Sequence, residues 1–487
     1  MKKILLTSLV PASSITILLF LATFVSRLRF FVDDFPYALD TPSLTRDFFT
    51  FFASYITVHG LFRPLALVYY WFLYSFYFLS DSMAHLLPFA IHAATGYILY
   101  RILKRHGMNG AFALLGGFLY LLHPFATEQY MWLSAGPGTI VNGLFLIQLV
   151  LIEKMSNRPS MPVAIAVLST ISVLLYESTF FFFIPLIYLI WTKTKRVSLV
   201  QIAPIIVYII TKLLLKGTDP RPLVDSFPLI AENAGNLANN LSKVYMDPYY
   251  VDRFWNAYRS FGLELVLSTP LLMGGMILFV ATALGGLFIT RHEVYPVQKS
   301  KFIFWTLVFL ATLPPLVANK IFFFGFRSLF LPSIAAIVTG LWAGQMLLGK
   351  NGRIALGLLG LWTVISFFMI DITIADKYRV LYDQDMKLAQ AISQRIKEQN
   401  LDRVSLILKS DVPFDSRESF LHADHLLSCF FYEWSSLSCL KMTTGSVHSL
   451  TIEHVDGRVT RQAPEELPIV TLRLDKNRDL TVEKIDR

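Results

Sequence analysis

Apolar segments of about the length of a bilayer crossing recur along most of the chain. Eleven can be delimited, at residues 4–25, 83–103, 111–127, 136–152, 161–175, 179–192, 199–215, 270–289, 302–318, 329–348 and 354–374. A transmembrane helix needs about 20 mostly apolar residues, whereas the core of a soluble domain needs no such runs. Only 16% of the 487 residues are charged, against about a quarter in soluble domains. The sequence therefore predicts an all-α polytopic membrane bundle of about 11 transmembrane helices.

The charged residues between these segments are unevenly distributed. One set of loops carries fifteen basic residues and only two acidic ones, Glu153 and Glu293. The basic residues are Lys2, Lys3, Arg101, Lys104, Arg105, Lys154, Arg158, Lys193, Lys195, Arg196, Arg291, Lys299, Lys301, Lys350 and Arg353. Such loops face the cytoplasm, so topology accounts for the net charge of +9. The sequence shows no nucleic-acid module, and we expect no nucleic-acid partner.

Segment 64–79 determines the topology, because the basic loops share one side only if this segment does not cross. It is rich in Tyr, Trp and Phe, and Tyr and Trp prefer the membrane interface. We therefore predict an interfacial or re-entrant helix on the outer side. The N-terminus is then cytoplasmic and the C-terminus outside. An ordinary twelfth crossing is the alternative.

The chain is expected to form two domains, a membrane domain over 1–375 and a soluble domain over 376–487. The membrane domain has long outer loops at 26–82 and 216–269. In the tail, a polar helix over 376–399 precedes alternating apolar segments, which predict a small extracytoplasmic α/β domain. Its cysteines, Cys429 and Cys439, can form a disulfide if the tail is exported. Two buried thiols are the alternative.

Two adjacent carboxylates, Asp33 and Asp34, follow the first crossing. A placed carboxylate can take the proton of a sugar hydroxyl, and a pair can hold a divalent cation. Termination of the helix is the alternative. His85 and His92 are seven residues apart, so they share a helix face within an apolar segment. Ionisable groups in such segments are candidates for function, and helix–helix hydrogen bonding is the alternative.

Further ionisable residues lie in the other predicted outer segments. They are Arg63, His123, Glu128, Glu177, Lys320 and Arg327. The predicted topology places all of them at one membrane face, although they are far apart in sequence. Such a gathering predicts a functional site at that face.

In order and spacing, these residues resemble the GT-C class of polytopic glycosyltransferases. Within that class, they are most similar to the transmembrane, tetratricopeptide-repeat O-mannosyltransferases and their bacterial relatives. The resemblance covers about residues 1–375. It rests on Asp33-Asp34, Arg63-Pro64-Leu65, His85-Leu86, His92, His123-Pro124, Glu128, Trp132, Glu177, Arg327 and Pro332.

The resemblance implies transfer of a sugar from a polyprenyl-phosphate donor to an exported lipid, glycan or protein. Asp33 or Asp34 would be catalytic. The residues implied to bind substrate or its phosphate are Arg63, His85, His123, Glu128, Glu177, Lys320 and Arg327. A divalent cation, Mg²⁺ or Mn²⁺, would be held by Asp33, Asp34 and Glu128. The partners implied are the polyprenyl-phosphate sugar and membrane lipid. The compact loops and the short tail indicate a bacterial inner membrane.

The chain also departs from that family. Relatives often carry an Arg soon after the residue matching Trp132, where this chain has Ala135-Gly136, and a Lys where it has Tyr176. The sequence has no tetratricopeptide repeats, and a short tail stands in their place. The family's sugar and acceptor are therefore not assigned to this chain. Two other functions stay open: a transporter or flippase of a lipid-linked glycan, and a non-catalytic membrane assembly protein.

Overall fold

The structure of the protein is a computed structural model, in which 79% of the described residues are helical and a small sheet forms near the C-terminus. The described residues are 18–19, 21–28, 63–77, 81–154, 160–176, 181–195, 202–214, 227–290, 299–317, 326–412, 428–430, 433–444, 446–455, 459–461 and 467–486. The predicted class, a helical bundle followed by a small α/β domain, is confirmed at this level.

Sixteen helices are labelled here in chain order. They are α1 Pro64–Tyr77, α2 Asp81–Arg105, α3 Gly110–Leu121, α4 Thr127–Met131, α5 Pro137–Lys154, α6 Ser160–Leu175, α7 Phe183–Thr194, α8 Ala203–Leu214, α9 Phe227–Met246, α10 Pro248–Ser268, α11 Pro270–Thr290, α12 Lys299–Thr312, α13 Pro314–Val317, α14 Phe326–Leu347, α15 Lys350–Glu398 and α16 Glu433–Lys441. Proline begins α1, α5, α10, α11 and α13, where its missing N–H breaks no hydrogen bond and its fixed φ suits a helix.

Within the described part, four helical stretches are long and apolar enough to cross a membrane. They are Ala84–Arg105, Leu133–Lys154, Leu329–Leu347 and Lys350–Glu398. The count rises to six if each of two bent helix pairs forms one span. Several other predicted crossings correspond to shorter helices, such as α6 with 16 residues and α7 with 12. The described residues therefore support a membrane bundle with four to six apolar spans, and the eleven crossings stay a prediction.

Charged side chains from three helices meet at one end of the bundle, which we call the basic end. Just after α2, His106 Nε2 lies 2.8 Å from Glu153 Oε1, and Arg105 lies 3.4 Å from the other carboxylate oxygen. Lys193 of α7 donates to the carbonyl oxygen of Ile152 at 2.7 Å. Three loops of the basic set are therefore together, as the charge pattern predicted.

The opposite end is formed around residues 123–136, which connect α3 to α5 and are called here the 123–136 turn. Two tyrosines of α1 donate to it, Tyr69 to the Leu133 carbonyl at 3.3 Å and Tyr70 to the Ser134 carbonyl at 2.7 Å. Helix α2 begins at Asp81, four residues after α1 ends. Helix α1 therefore contacts the turn end of the bundle, and the absence of a crossing at 64–79 stays a prediction.

The region 216–269 differs from the loop that was expected. Its described residues form two helices, α9 and α10, instead of irregular chain. The side chain of Asp247 caps the second of them by accepting from the Tyr249 amide at 2.9 Å. Buried Phe254 and Tyr258 recur four residues apart on α10, while the residues between them are more exposed. Most of the described part of the expected loop is therefore helical.

The tail contains a five-stranded sheet of order β3-β2-β1-β4-β5. The strands are β1 Val404–Ser410, β2 Val447–Glu453, β3 Val459–Arg461, β4 Ile469–Leu474 and β5 Leu480–Asp486. Strand β1 pairs in parallel with β2 and β4, and the edge strands β3 and β5 pair antiparallel. The predicted α/β character is confirmed, with β3 and β5 as strands that were not predicted.

Helix α15 leads from the bundle into the tail without interruption, where two separate helices were expected. Its 49 residues span about 73 Å, more than twice the hydrocarbon thickness of about 30 Å. The apolar part, 354–374, fits the membrane, so the polar part, 376–398, extends beyond it. One contiguous hydrophobic cluster joins α1 and Leu133 to the tail core, including Ile392 and Leu406. The tail therefore packs at the turn end of the bundle.

Candidate functional site

The 123–136 turn holds the candidate site. It consists of short helical pieces, Pro124–Ala126, α4 and Leu133–Ala135, and almost all of its residues are buried. His123 begins the first piece, where its Nδ1 accepts from the Phe125 amide at 3.2 Å. Because Nδ1 accepts, the ring proton of a neutral His123 is on Nε2. The imidazole is therefore held in one tautomer among Phe125, Phe330 and Phe367.

Glu128 lies in the first turn of α4 and is 1% exposed. Acidic residues are favoured in the first turn of a helix because the backbone N–H groups there point toward them. Glu128 precedes Tyr130 by two residues, and Trp132 follows it by two. The Trp132 side chain is also buried, at 1% exposure. The turn thus places two of the residues named by the resemblance, a carboxylate and a large aromatic ring, close together in sequence and both buried.

Helix α2 brings both predicted histidines to this end. His85 Nδ1 lies 3.1 Å from the Met131 carbonyl, and His92 Nε2 lies 3.1 Å from the Leu121 carbonyl. A ring nitrogen facing a carbonyl oxygen must donate, so each of these nitrogens carries the proton. His85 therefore belongs to the candidate site through the turn. Both side chains also make the interhelical hydrogen bonds that the sequence left open as the alternative.

Arg63 immediately precedes α1, and its guanidinium carbon lies 4.4 Å from the centre of the Tyr176 ring. This is a cation–π contact. Tyr176 is also the residue before Glu177, so the contact brings the Arg63 region beside another segment named by the resemblance. Arg63 is half-buried, and it retains access to solvent or headgroups. His85 contacts the turn that holds His123 and Glu128, while Arg63 immediately precedes α1, whose Tyr69 and Tyr70 donate to the same turn.

The remaining predicted site residues lie outside the described part of the chain. These are Asp33, Asp34, Glu177 and Lys320, while Arg327 lies in the first turn of α14 with its side chain also outside. The proposed catalytic carboxylates are among them, so their role stays a prediction. Among the described residues, no group of three or more His, Cys, Asp or Glu side chains is placed to hold a metal ion. Of the suggested metal ligands, only Glu128 is described.

The site contains two residues that the sequence analysis missed. Tyr130, fully buried in α4, donates its hydroxyl to Asp371 Oδ2 of α15 at 3.3 Å. Asp371 is 0% exposed. A carboxylate inside a predicted crossing, 354–374, was a signal available from the sequence. Its partner was not, since 241 residues separate the two.

The tail has a buried carboxylate of its own beside its disulfide. Cys429 and Cys439 are bonded, so the first of the two alternatives holds. Asp385 of α15 accepts from Ser428 Oγ at 2.6 Å and from the Cys429 amide at 2.7 Å. Burial raises the pKa of Asp385 to about 7, although these two hydrogen bonds oppose the shift.

No protein-family model matches the chain, and no curated protein matches it. The function is therefore inferred from the residues and their geometry.

Proposed function

We propose that this chain is a membrane glycosyltransferase of GT-C type, which transfers a sugar from a polyprenyl-phosphate donor to an exported acceptor. The observation that carries the proposal is the gathering of His85, His123 and Glu128 at the 123–136 turn. Buried carboxylates and histidines are costly in an apolar bundle, and their concentration at one end favours a reaction site over general helix packing.

The proposal includes a topology of eleven crossings, with the N-terminus in the cytoplasm and the tail outside. The disulfide between Cys429 and Cys439 supports this orientation, because disulfides persist in oxidising compartments and are rare in the cytosol. The meeting of Arg105, Glu153 and Lys193 at the basic end supports it as well, since basic loops face the cytoplasm. We assign the protein to a bacterial inner membrane.

In the proposed reaction, Asp33 or Asp34 takes the proton of the acceptor hydroxyl while the hydroxyl oxygen bonds to the anomeric carbon and the bond between that carbon and the phosphate oxygen breaks. Arg63, Lys320 and Arg327 bind the phosphate, which leaves with the polyprenyl chain. His85, His123, Glu128 and Glu177 line the site. Asp33, Asp34 and Glu128 are the residues that would hold a divalent cation, which would supply positive charge for the leaving phosphate.

The test is sugar transfer by the purified full chain in proteoliposomes, with a panel of polyprenyl-phosphate sugars. We expect the Asp33→Asn, Asp34→Asn double variant to lose at least about 100-fold in rate, because general-base catalysis contributes about 10²–10⁴. Release of polyprenyl phosphate is the measurement. Asp40→Asn, in the same loop, is the matched control and should retain transfer.

Equal transfer by wild type and the double variant would remove Asp33 and Asp34 from the chemistry. Movement of intact lipid-linked sugar between leaflets, with no polyprenyl phosphate released, would instead show a flippase. Analysis of lipid-linked oligosaccharides in a deletion strain identifies the missing product, and hence the sugar and acceptor class.

A further inference from the structure

Tyr130 is the central residue of the 123–136 turn. It lies two residues after Glu128 and two before Trp132, and it is 0% exposed. On one side its ring stacks on His92 of α2, with centroids 4.8 Å apart and an angle of 25° between planes. On the other side its hydroxyl donates to Asp371 of α15 at 3.3 Å. The turn is thus held between two long helices through one side chain.

The helix α2 side of this arrangement is fixed by further contacts. His92 is stacked between two tyrosines, since the Tyr120 ring also lies 4.8 Å from it at 24°. Its Nε2 donates to the Leu121 carbonyl at 3.1 Å. Stacked rings and a directed hydrogen bond together leave the imidazole little freedom to rotate. Tyr130 therefore packs on a fixed surface, and its hydroxyl is aimed at α15.

On the α15 side, the partner of Tyr130 is Asp371, an acidic residue in an apolar part of the bundle. Asp371 is fully buried, and its Oδ1 makes no hydrogen bond within the described part of the chain. No ion pair to Asp371 occurs among the described residues either. Burying a carboxylate without a charged partner is costly, and an apolar residue would pack the helix more favourably. The hydrogen bond to Tyr130 is therefore a candidate for a role beyond bundle packing.

We propose that Asp371 is a positioning residue, whose hydrogen bond to Tyr130 holds Glu128 and Trp132 in the orientation that sugar transfer requires. This inference rests on the proposed function, and it adds a residue of α15 to the site residues of α2 and the turn. Small displacements of groups around a reacting centre reduce rates strongly, by about 10²-fold for about 1 Å. Loss of the hydrogen bond thus lowers kcat more than it alters donor binding.

Three substitutions separate the hydrogen bond from the charge. Tyr130→Phe keeps the ring and removes the hydroxyl. Asp371→Leu removes the acceptor, whereas Asp371→Asn removes the charge and retains an oxygen that can accept from Tyr130. Tyr97→Phe is the matched control, since Tyr97 is 58% exposed on α2 and its hydroxyl accepts from Arg101.

We expect Tyr130→Phe and Asp371→Leu to lower kcat about tenfold or more, with the donor KM changed less than about threefold. The kcat of Asp371→Asn should remain within about threefold of the wild-type value, and Tyr97→Phe should have the wild-type kcat. All variants are compared at equal amounts of folded protein, judged by gel filtration in detergent. A merely structural role would reduce that amount and leave the kcat of the folded fraction unchanged, which would overturn the proposal.

Hydrogen–deuterium exchange of the full chain gives a second readout that needs no activity. Tyr130→Phe should increase exchange of the amides of residues 127–136, while Tyr97→Phe should leave them unchanged. Transfer by Tyr130→Phe at the wild-type rate, or Asp371→Asn as inactive as Asp371→Leu, would refute positioning by this hydrogen bond. If wild type transfers no sugar from any donor, the proposed function fails, and exchange alone decides whether Asp371 holds the turn.

Discussion

Asp385 shows how one residue can couple the tail to pH. Its carboxylate is buried beside the disulfide, and the pKa is raised from its ordinary value near 3.8 to about 7. The folded state therefore holds a proton that the unfolded state releases between these two values. Stability conferred by the neutral form is complete below about pH 4 and is lost as pH rises toward about 7.

We predict that wild type loses thermal stability between pH 5 and pH 7.5 relative to Asp385→Asn, which cannot ionise. The slope arising from this residue is at most about 1.4 kcal/mol per pH unit. The measurement is the melting temperature of the full chain in detergent at both pH values. Asp383→Asn, two residues away and exposed, is the control and should follow wild type. A variant Asp385→Asn that also follows wild type would contradict the prediction.

For single residues, the sequence predicted burial better than it predicted hydrogen-bond partners. The spacing of His85 and His92 placed both on one helix face, and both are buried as expected for that pattern. Their carbonyl partners lie 46 and 29 residues away, so no local pattern specifies them. Tyr130 was missed because an aromatic residue in a membrane protein carries no local mark of a hydrogen-bonded role.

Helices α10 and α15 approach each other closely enough to exclude a side chain. A Cβ added at Gly262 would lie 2.0 Å from the Met369 carbonyl oxygen. In the same region, Thr373 Oγ1 donates to the Tyr258 carbonyl at 2.9 Å. Small residues at such contacts let helix backbones approach. Gly262 thus fixes α10 against the part of α15 that carries Asp371.

We predict that Gly262→Ala destabilises the protein by about 1–3 kcal/mol, the usual cost of inserting a methyl group into a packed contact. Gly274→Ala on α11 is the matched control, because an added Cβ there meets nothing within 4 Å. The control should be neutral or stabilising by up to about 1 kcal/mol, since Gly is a poor helix former. Melting temperatures in detergent decide between them, and equal effects of both substitutions would refute this packing role.

The element boundaries that failed have physical causes. Polar residues after position 375 indicated a new helix, yet backbone hydrogen bonds continue through the change in surroundings, so α15 stays whole. Strand β5 was missed because it forms an edge and carries charged residues such as Glu483 and Lys484 on its exposed positions. Helices α9 and α10 were not predicted, because residues 216–269 are rich in polar side chains and contain no apolar segment of crossing length.

For the whole molecule, the uneven distribution of basic residues among the loops was a better guide to the topology than the number of apolar segments. Eleven apolar segments were predicted, and the described part supports four to six spans, because several apolar helices are short. The sorting of loops between two ends depends only on charge, and the contacts of Glu153 and Tyr70 agree with it. The association of the site residues required the three-dimensional structure, since it depends on contacts between distant segments.

We predict that Ser80 and Lys377 lie outside the cytoplasm and Asn109 lies inside. Helix α1 lies along the turn end, whereas the backbone amide of Asn109 donates to Gln345 beside the basic end at 2.7 Å. A reporter that is active only outside the cytoplasm should be active when fused after Ser80 or Lys377. It should be inactive after Asn109. Activity of the Asn109 fusion would invert or break the proposed topology.

Because α15 is one uninterrupted helix, its length fixes how the tail is rotated about the helix axis relative to the bundle. Asp371 and Asp385 are fourteen residues apart on this helix, which places them about 40° from alignment and about 21 Å apart along the axis. One inserted residue between them would turn the tail by about 100°, whereas seven would raise it about 10 Å with only about 20° of rotation. The length of α15 therefore sets both the distance of the tail from the 123–136 turn along the helix axis and its rotation about that axis.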